Sequence, residues 1–535
     1  MVVTSVEQGG KVLDRYETPF GIRTIKFDPD QGFFLNGKQV RINGVCDHAD
    51  LGALGMAINE RALQRQIQIL QDMGCNAIRT SHNPPAPELL DLCDRMGMLV
   101  MDESFDCWQR GKRHNDYHLL FRDWHEKDWR AELERDRNHP SVILWSIGNE
   151  VPDQGKPEGF EIGAEMTRIA HEEDPTRPTT AACDHPDSGF DGFQTNLDVF
   201  GYNYKPFLYT KVHAANPGKP IIGSETASCI SSRGEYFYPV STNKNDGKSH
   251  FQMSSYDLSA PPWATIPDTE FKGQDENPFV AGEFVWTGFD YLGEPTPYDQ
   301  ADDPSRSSYF GIVDLAGFPK DRFYLYQARW RPELRMAHIV PQNWNWPGRV
   351  GQMTPVQVYT SGDSAELFLN GKSLGRKTRG QFEYRLTWND VKYAPGKLKV
   401  VAYKNGKRWA TDTVETTGYA MKLALQPDRA IIHADGKDLS FVTVTVEDRK
   451  GRMVPDADNP VHFEISGPGE IVATDNGDAT DLTSFPSHDR KAFNGLCLVI
   501  VRSEPGQAGT IKLEAESTDL KAANISIRTQ EENND

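Results

Sequence analysis

The chain has 535 residues, so at roughly 150 residues per domain a single small module is excluded. Its 58 basic and 77 acidic residues leave a formal charge of -19, which repels polyphosphate backbones and anionic headgroups, and no basic patch reverses it; nucleic acid is not expected as a partner. A hydrophobic share of 38%, with 26 Phe, 18 Tyr and 11 Trp, supplies apolar mass for large cores and argues against global disorder.

No window approaches the 18 or so uninterrupted apolar residues of a membrane helix, so no membrane span is expected. Residues Met1 to Gly10 lack a basic start followed by an apolar stretch, the mark of a secretory leader. Seven cysteines, Cys46, Cys75, Cys93, Cys107, Cys183, Cys229 and Cys497, are an odd and scattered set without Cys-x-x-Cys spacing. A disulfide framework and a structural zinc site are therefore not expected, and most of these thiols read as small buried apolar groups.

From about residue 36 to 335, short apolar runs alternate with longer amphipathic segments, the pattern of parallel strands each followed by a helix. Eight runs qualify: Gln39 to Val45, Asn76 to Thr80, Met98 to Asp102, Val142 to Gly148, Pro178 to Ala182, Leu197 to Asn203, Lys219 to Ser224 and Phe279 to Phe289. Eight such units predict an α/β fold, a (β/α)8 TIM barrel with insertions. Leu63, Ile67, Leu70 and Met73 recur at helical spacing with Asn59 as N-cap. A second helix is expected over Pro87 to Met96, ending before Gly97, and a third around Leu119 to Arg137; the helices of units five and seven read weakly. Ser231 to Glu276, rich in Ser, Asn, Asp and Pro, reads as a long loop.

Beyond Trp330 helical periodicity ends. Glu366 to Leu369 runs into Asn370-Gly371, and Leu398 to Tyr403 leads to Asn405-Gly406; strands separated by Asn-Gly turns predict a β-sandwich over about 345–418. Leu439 to Val446 and Cys497 to Val501 predict a second β module, with Gln530 to Asp535 as a frayed tail.

Strand four ends in Gly148-Asn149-Glu150 and strand seven in Ser224-Glu225, at the strand end where barrel enzymes keep their reactive groups. Two carboxyls about 5 to 5.5 Å apart hydrolyse a glycosidic bond with retention, one attacking the anomeric carbon and the other protonating the leaving oxygen. Burial and the neighbouring charge keep one protonated and the other ionised. The bland alternative is a pair of ordinary loop carboxylates. Strand two ends in Arg79-Thr80-Ser81-His82, strand one in Asp47-His48-Ala49-Asp50; strand six contains Tyr202-Asn203-Tyr204 and strand eight Trp286. Such rings of polar and aromatic groups suit sugars, whose hydroxyls need hydrogen bonds and whose C–H faces stack on aromatic planes. Taken alone, Arg79 reads as a structural ion pair, His82 as a turn residue and Trp286 as core.

Asn76-Ala77-Ile78-Arg79-Thr80-Ser81-His82-Asn83-Pro84, Ser146-Ile147-Gly148-Asn149-Glu150, Gly223-Ser224-Glu225 and Gly282-Glu283-Phe284-Val285-Trp286-Thr287-Gly288-Phe289-Asp290-Tyr291 resemble glycoside hydrolase family 2, most closely its β-galactosidase-like members. The resemblance implies Glu150 as general acid/base, Glu225 as nucleophile, Asn149 on the substrate 2-hydroxyl, Arg79 and Tyr204 positioning Glu225, and His48, His82 and Trp286 lining the sugar pocket. It implies residues 1–35 as the end of a preceding immunoglobulin-like domain, 36–340 as the barrel, and 345–418 and 419–530 as two β-sandwich (immunoglobulin-like) domains.

Three departures follow from that comparison. Only about 35 residues precede the barrel, so the chain reads as truncated. Members that bind magnesium near the acid/base use Glu and His after strand three, where Cys107 and Gln109 are expected here, so no metal and no cofactor is predicted. The Asn-x-Lys element with which glucuronidases grip a carboxylate falls on Asp314-Leu315-Ala316-Gly317, which disfavours a uronic acid substrate. The expected function is a retaining exo-acting β-galactosidase with a carbohydrate substrate, homo-oligomerisation left open. The competing readings are a non-catalytic carbohydrate-binding or adhesive fragment, and a family 2 hydrolase of another β-linked sugar. The resemblance suggests export of the full-length parent to the periplasm or beyond, against which stand the unpaired thiols and the absent leader.

Overall fold

The computed structural model describes residues 1–531. Two compact units form: one of residues 1–49, 75–227 and 269–286, the other of 50–74, 228–268 and the chain from 287 onward.

The first unit opens with an antiparallel ribbon, Val2–Gln8 paired with Lys11–Thr18, and a small sheet of Ile25–Asp28, Gly32–Leu35 and Lys38–Gln39. A closed barrel of eight parallel strands follows: Ile42–Asp47, Ala77–Thr80, Leu99–Glu103, Val142–Asn149, Thr179–Cys183, Phe200–Asn203, Ile221–Ala227 and Gly282–Trp286. Each pairs with the next, and the eighth closes on the first through Gly282↔Ile42 to Trp286↔Cys46. Each of the eight apolar runs read from the sequence overlaps one of these strands, with boundaries differing by a few residues.

Strand four is buried along its whole length, as expected when a barrel strand meets core side chains on one face and helices on the other. Trp145 lies edge-to-face with Trp129 of the helix His118–Asp136, ring centroids 6.1 Å apart. Its indole N–H donates to Asp174 at 3.0 Å, just beyond the helix Pro157–Glu173. Trp129 Nε1 donates to the Met166 carbonyl at 3.0 Å, so two indoles lock these helices against the strand while finding polar partners. The third expected helix is therefore real, but its first turn carries Leu119 and Leu120 into solvent. Gly44 shows why closure needs a glycine: a Cβ there would sit 2.4 Å from the Phe284 ring of strand eight.

In the second unit, the helix Glu60–Met73 begins at Asn59, whose side chain accepts from Ala62 N at 2.9 Å, and ends at left-handed Gly74. It buries Leu63, Ile67, Leu70 and Met73, the stripe expected from spacing. The segment read as a loop from Ser231 is mostly irregular, but its last turns, Pro267–Glu276, are helical; its polar composition masked a helix with a weak apolar face.

Sheets of three strands (Ala337–Val340, Val356–Thr360, Leu386–Trp388) and four (Ser364–Leu369, Lys372–Thr378, Lys397–Lys404, Lys407–Glu415) share a core including Trp344, Val358, Leu367, Trp388 and Val400. Both Asn-Gly turns form hairpins with both residues at positive φ, 51° and 82° at Asn370-Gly371, 51° and 74° at Asn405-Gly406, as a right-twisted ribbon demands. A last pair of sheets, four and five strands, encloses Val442, Val444, Phe463, Val499 and Leu513. There Leu439–Glu447 pairs antiparallel with Leu496–Ser503. The expected frayed tail is corrected at its start, since Gln530 ends the strand Ala523–Gln530; residues 532–535 lie outside the described set. All seven cysteines are buried and unpaired.

Candidate active site

The strand ends decide which side chains meet. Register puts Asn149 of strand four level with Ala182 of strand five, and Asn203 of strand six level with Glu225 of strand seven. Gly148 lets strand four run flat against an indole beneath this level: Trp108 Nε1 donates to the Ile147 carbonyl at 2.8 Å, and a Cβ at Gly148 would lie 2.8 Å from the same nitrogen. Glu150 then turns outward at φ 42°, and Tyr204 at φ 55°. Left-handed backbone at a non-glycine residue is uphill by about 1–3 kcal/mol and persists only where the surroundings over-determine it.

Arg79, fully buried, is the hub. All five of its N–H groups are used: Nε and Nη2 fork onto Glu103 at 3.0 and 2.9 Å, Nη2 also reaches Asn149 Oδ1 at 2.8 Å, and Nη1 reaches Glu225 Oε2 at 2.7 Å and the Ser224 carbonyl at 3.0 Å. Both the ion-pair reading and the site reading of Arg79 thus describe one guanidinium. The Tyr204 hydroxyl donates to the other Glu225 oxygen, Oε1, so both oxygens of Glu225 face donors suited to an ionised carboxylate.

Glu150 has the opposite surroundings. Burial, the Glu225 charge and Asp184 push its carboxyl up to about 8, against smaller opposing effects of the Asn203 amide and Lys112. Asn203 Nδ2 donates to Glu150 Oε1 at 2.9 Å, and its own Oδ1 is held by Ser224 Oγ at 2.7 Å. Glu150 is therefore favoured in its neutral form at neutral pH.

Three rings close one side. His82 stacks on Trp286 at 5.1 Å and 3°, and His48 meets Trp286 edge-on at 5.3 Å and His82 at 5.8 Å. Burial, then His82, pushes His48 down to about 3, so it is neutral at ordinary pH. His82 Nδ1 is 2.7 Å from Glu103 Oε1; donating there, it leaves Nε2 to accept from Asn149 Nδ2 at 3.2 Å. Every residue singled out from the sequence, His48, Arg79, His82, Asn149, Glu150, Tyr204, Glu225 and Trp286, therefore belongs to one connected network of hydrogen bonds, charges and ring contacts.

Sequence reasoning missed Glu103, Asn203, Asp106 and Lys112. Glu103 could have been found as a second carboxylate closing strand three; Asn203 stood in plain view between two tyrosines. Asp106 accepts from Asn149 at 3.0 Å and from Lys112 Nζ at 2.6 Å, whereas Cys107 is buried and Gln109 exposed. Among the described residues, one other cluster, Asp91, Asp94 and His139, brings three ligand-type atoms together. Its His139 Nδ1 is 2.7 Å from Asp94, whose other oxygen accepts from Ser141 N at 2.9 Å, an ion pair at the N-terminal end of strand four.

A barrel with two strand-end carboxyls joined to a network of donors and aromatic rings is the architecture of a hydrolase-type barrel site, and comparison adds the family. Residues 28–254 match the glycosyl hydrolases family 2 TIM barrel domain, 423–526 match the glycoside hydrolase family 2 C-terminal domain 5, and 351–410 match a domain of unknown function. The chain belongs to glycoside hydrolase family 2. It is 45% identical to a β-galactosidase of Bacteroides ovatus over 99% of its own length and 66% of that protein's. It is 28% identical to a β-glucuronidase of Bacteroides fragilis over 77% of this chain and 59% of that protein. A β-glycosidase crystal structure from Bacteroides vulgatus superposes with a TM-score of 0.88 at 33% identity, covering 98% of this chain and 69% of that one. The chain thus spans about two thirds or less of the length of these two curated relatives.

Proposed function

We propose that the protein is a retaining exo-acting β-galactosidase. The observation that carries this is the asymmetry of two strand-end carboxyls: Glu150 is held protonated by burial and by Glu225, while Glu225 receives Arg79 and Tyr204. In this reading Glu225 attacks the anomeric carbon as Glu150 gives its proton to the departing oxygen, forming a glycosyl–enzyme ester. With Glu225 now esterified, its charge no longer opposes ionisation of Glu150. Glu150, deprotonated, takes a proton from water, which attacks the same carbon and releases Glu225. Asn149 holds the 2-hydroxyl, Arg79 and Tyr204 position the nucleophile, and His48, His82 and Trp286 line the sugar pocket.

The galactose preference rests on similarity to the Bacteroides ovatus β-galactosidase, and Asp314 bears only against a uronic acid. That residue, where a carboxylate-gripping element was sought, is itself a buried anion paired with Arg233 at 2.6 Å. A panel of aryl β-galactoside, β-glucoside, β-mannoside and β-glucuronide tests the sugar, and proton NMR of the first-formed anomer tests retention. Galactose binding by calorimetry with no turnover of any aryl glycoside would replace this reading with that of a carbohydrate-binding fragment.

A further inference from the structure

The active-site amide Asn149 has no spare polar atom. Its Oδ1 accepts from Arg79 Nη2 at 2.8 Å and from Asn203 Nδ2 at 3.4 Å, and its Nδ2 reaches Asp106 Oδ1 at 3.0 Å and His82 Nε2 at 3.2 Å. On the donor side only Asp106 is an anion. Its Oδ1 carries a second load, the Lys112 ammonium at 2.6 Å. Lys112 comes from the connection between strand three and the helix His118–Asp136, so its charge is delivered to the strand-four end by a loop. Its side chain keeps 24% of its exposure and that of Asp106 46%, so the pair stands at the rim rather than in the core.

We propose that Lys112 and Asp106 are a positioning pair for the glycosidase reaction: Asp106 aims the Asn149 amide, and Lys112 anchors Asp106. The proposal rests on the functional reading above and adds two residues to it. An Asn149 amide tethered from both sides presents its N–H edge in one orientation, so a sugar 2-hydroxyl that exchanges places with the weaker acceptor, His82, finds a donor already directed. The charged groups that bear on Glu150 are Glu225 and Asp184, which favour its protonated form, and Lys112, which opposes them. Lys112 thereby limits how reluctantly Glu150 gives up its proton, which a general acid working near neutrality requires. Burial pushes Asp106 up, but His82, Lys112 and Asn149 outweigh it and leave it below the usual carboxylate range, ionised and available to both partners.

The test uses the full chain with Lys112→Ala, Lys112→Arg and Asp106→Asn, and two readouts. Carbon-13 NMR of δ-labelled glutamate, with Glu150→Gln assigning the signal, follows the Glu150 titration without any need for turnover. Lys112→Ala is expected to move it upward by about half a pH unit, a modest shift because the pair is partly solvated, and Lys112→Arg to restore it. On an aryl β-galactoside, Asp106→Asn is expected to lower kcat about tenfold, with a smaller loss on the 2-deoxy analogue, which lacks the hydroxyl that Asn149 meets. Equal losses of Asp106→Asn on the two substrates overturn the proposal, and an unmoved Glu150 titration in Lys112→Ala overturns the charge coupling that supports it. A displaced titration in a chain that hydrolyses nothing would instead sink the hydrolase reading and leave the charge coupling standing.

Discussion

Nη1 of Arg79 lies 2.7 Å from Oε2 of Glu225, while the same guanidinium forks onto Glu103, and both Arg79 and Glu103 are wholly buried. One cation therefore serves two carboxylates, the proposed nucleophile Glu225 and the buried Glu103. Burial alone would push Glu103 up, but Arg79, His82 and Ser146 hold it below the ordinary glutamate value. Arg79→Met would strand two buried anions, so it is expected to destabilise the chain by about 3–5 kcal/mol in urea unfolding. Double replacement with Glu103→Gln should recover part of that stability and no activity, because Glu225 still lacks its partner.

With Glu150 as the proposed acid and its carboxyl pushed up to about 8, it is expected to set the alkaline side of the pH–rate profile. The acid is competent while protonated, so kcat/KM is expected to fall as pH rises through about 8. Asp184, held by Gln154 Nε2 at 2.6 Å, adds negative charge nearby. Asp184→Asn removes it and should move the alkaline limb downward, as seen in kcat/KM between pH 5 and 10. Because the folded value lies above the unfolded one, this group's contribution to stability is intact below its ordinary value of about 4.5 and is lost as pH rises toward 8.

A second cluster of carboxyl groups joins strand three to the helix His118–Asp136. Asp102 of strand three and Glu132 of the helix His118–Asp136 are both buried and both pushed well above their ordinary values. For each, burial is the first cause, Asp136 adds to it and Arg135 opposes it; the Asp102 charge also raises Glu132, whereas a hydrogen bond with Glu132 lowers Asp102. The sign is the same as for Glu150: stability is whole under acid conditions and declines as pH climbs through the raised folded values. Asp102→Asn keeps the shape and removes one ionisation, so its thermal midpoint should equal the parent's near pH 4 and exceed it at pH 9. A parallel pH dependence of the two midpoints would contradict this.

Gly148 is expected to tolerate no side chain. Gly148→Ala would force its methyl against Trp108 and Val151, with Cβ approaches of 2.8 and 2.9 Å. Two residues on, Glu150 would shift, so kcat should fall about a hundredfold with little change in KM. Trp108→Phe in the same background relieves the contact and is expected to return part of the rate.

Glu225→Gln keeps the shape of the proposed nucleophile but cannot form the ester. Turnover of an aryl β-galactoside should vanish while galactose binding, read by calorimetry, persists. Parental turnover in that variant would show that another group attacks.

Local pattern in the chain already determined much of this. Apolar runs of strand length separated by amphipathic segments are short-range signals, so all eight barrel strands were legible, as were the Asn59 cap and the two Asn-Gly hairpins, each dictated by the backbone geometry of a few adjacent residues. The ends of strands two, four and seven likewise marked Arg79, Asn149, Glu150 and Glu225, since strand ends collect at one face of any such barrel. Tertiary structure alone decided which of these groups touch and with what charge. Arg79 meets Glu103, Asn149 and Glu225 from positions 24, 70 and 146 residues away. The partners of Glu150, namely Asn203 and Asp184, come from other strands' ends, and the pairing of Asp106 with Lys112 belongs to a loop without periodicity. Side-chain chemistry at a barrel mouth depends on closure, which brings distant residues within a few ångströms and removes the water that would otherwise level their charges.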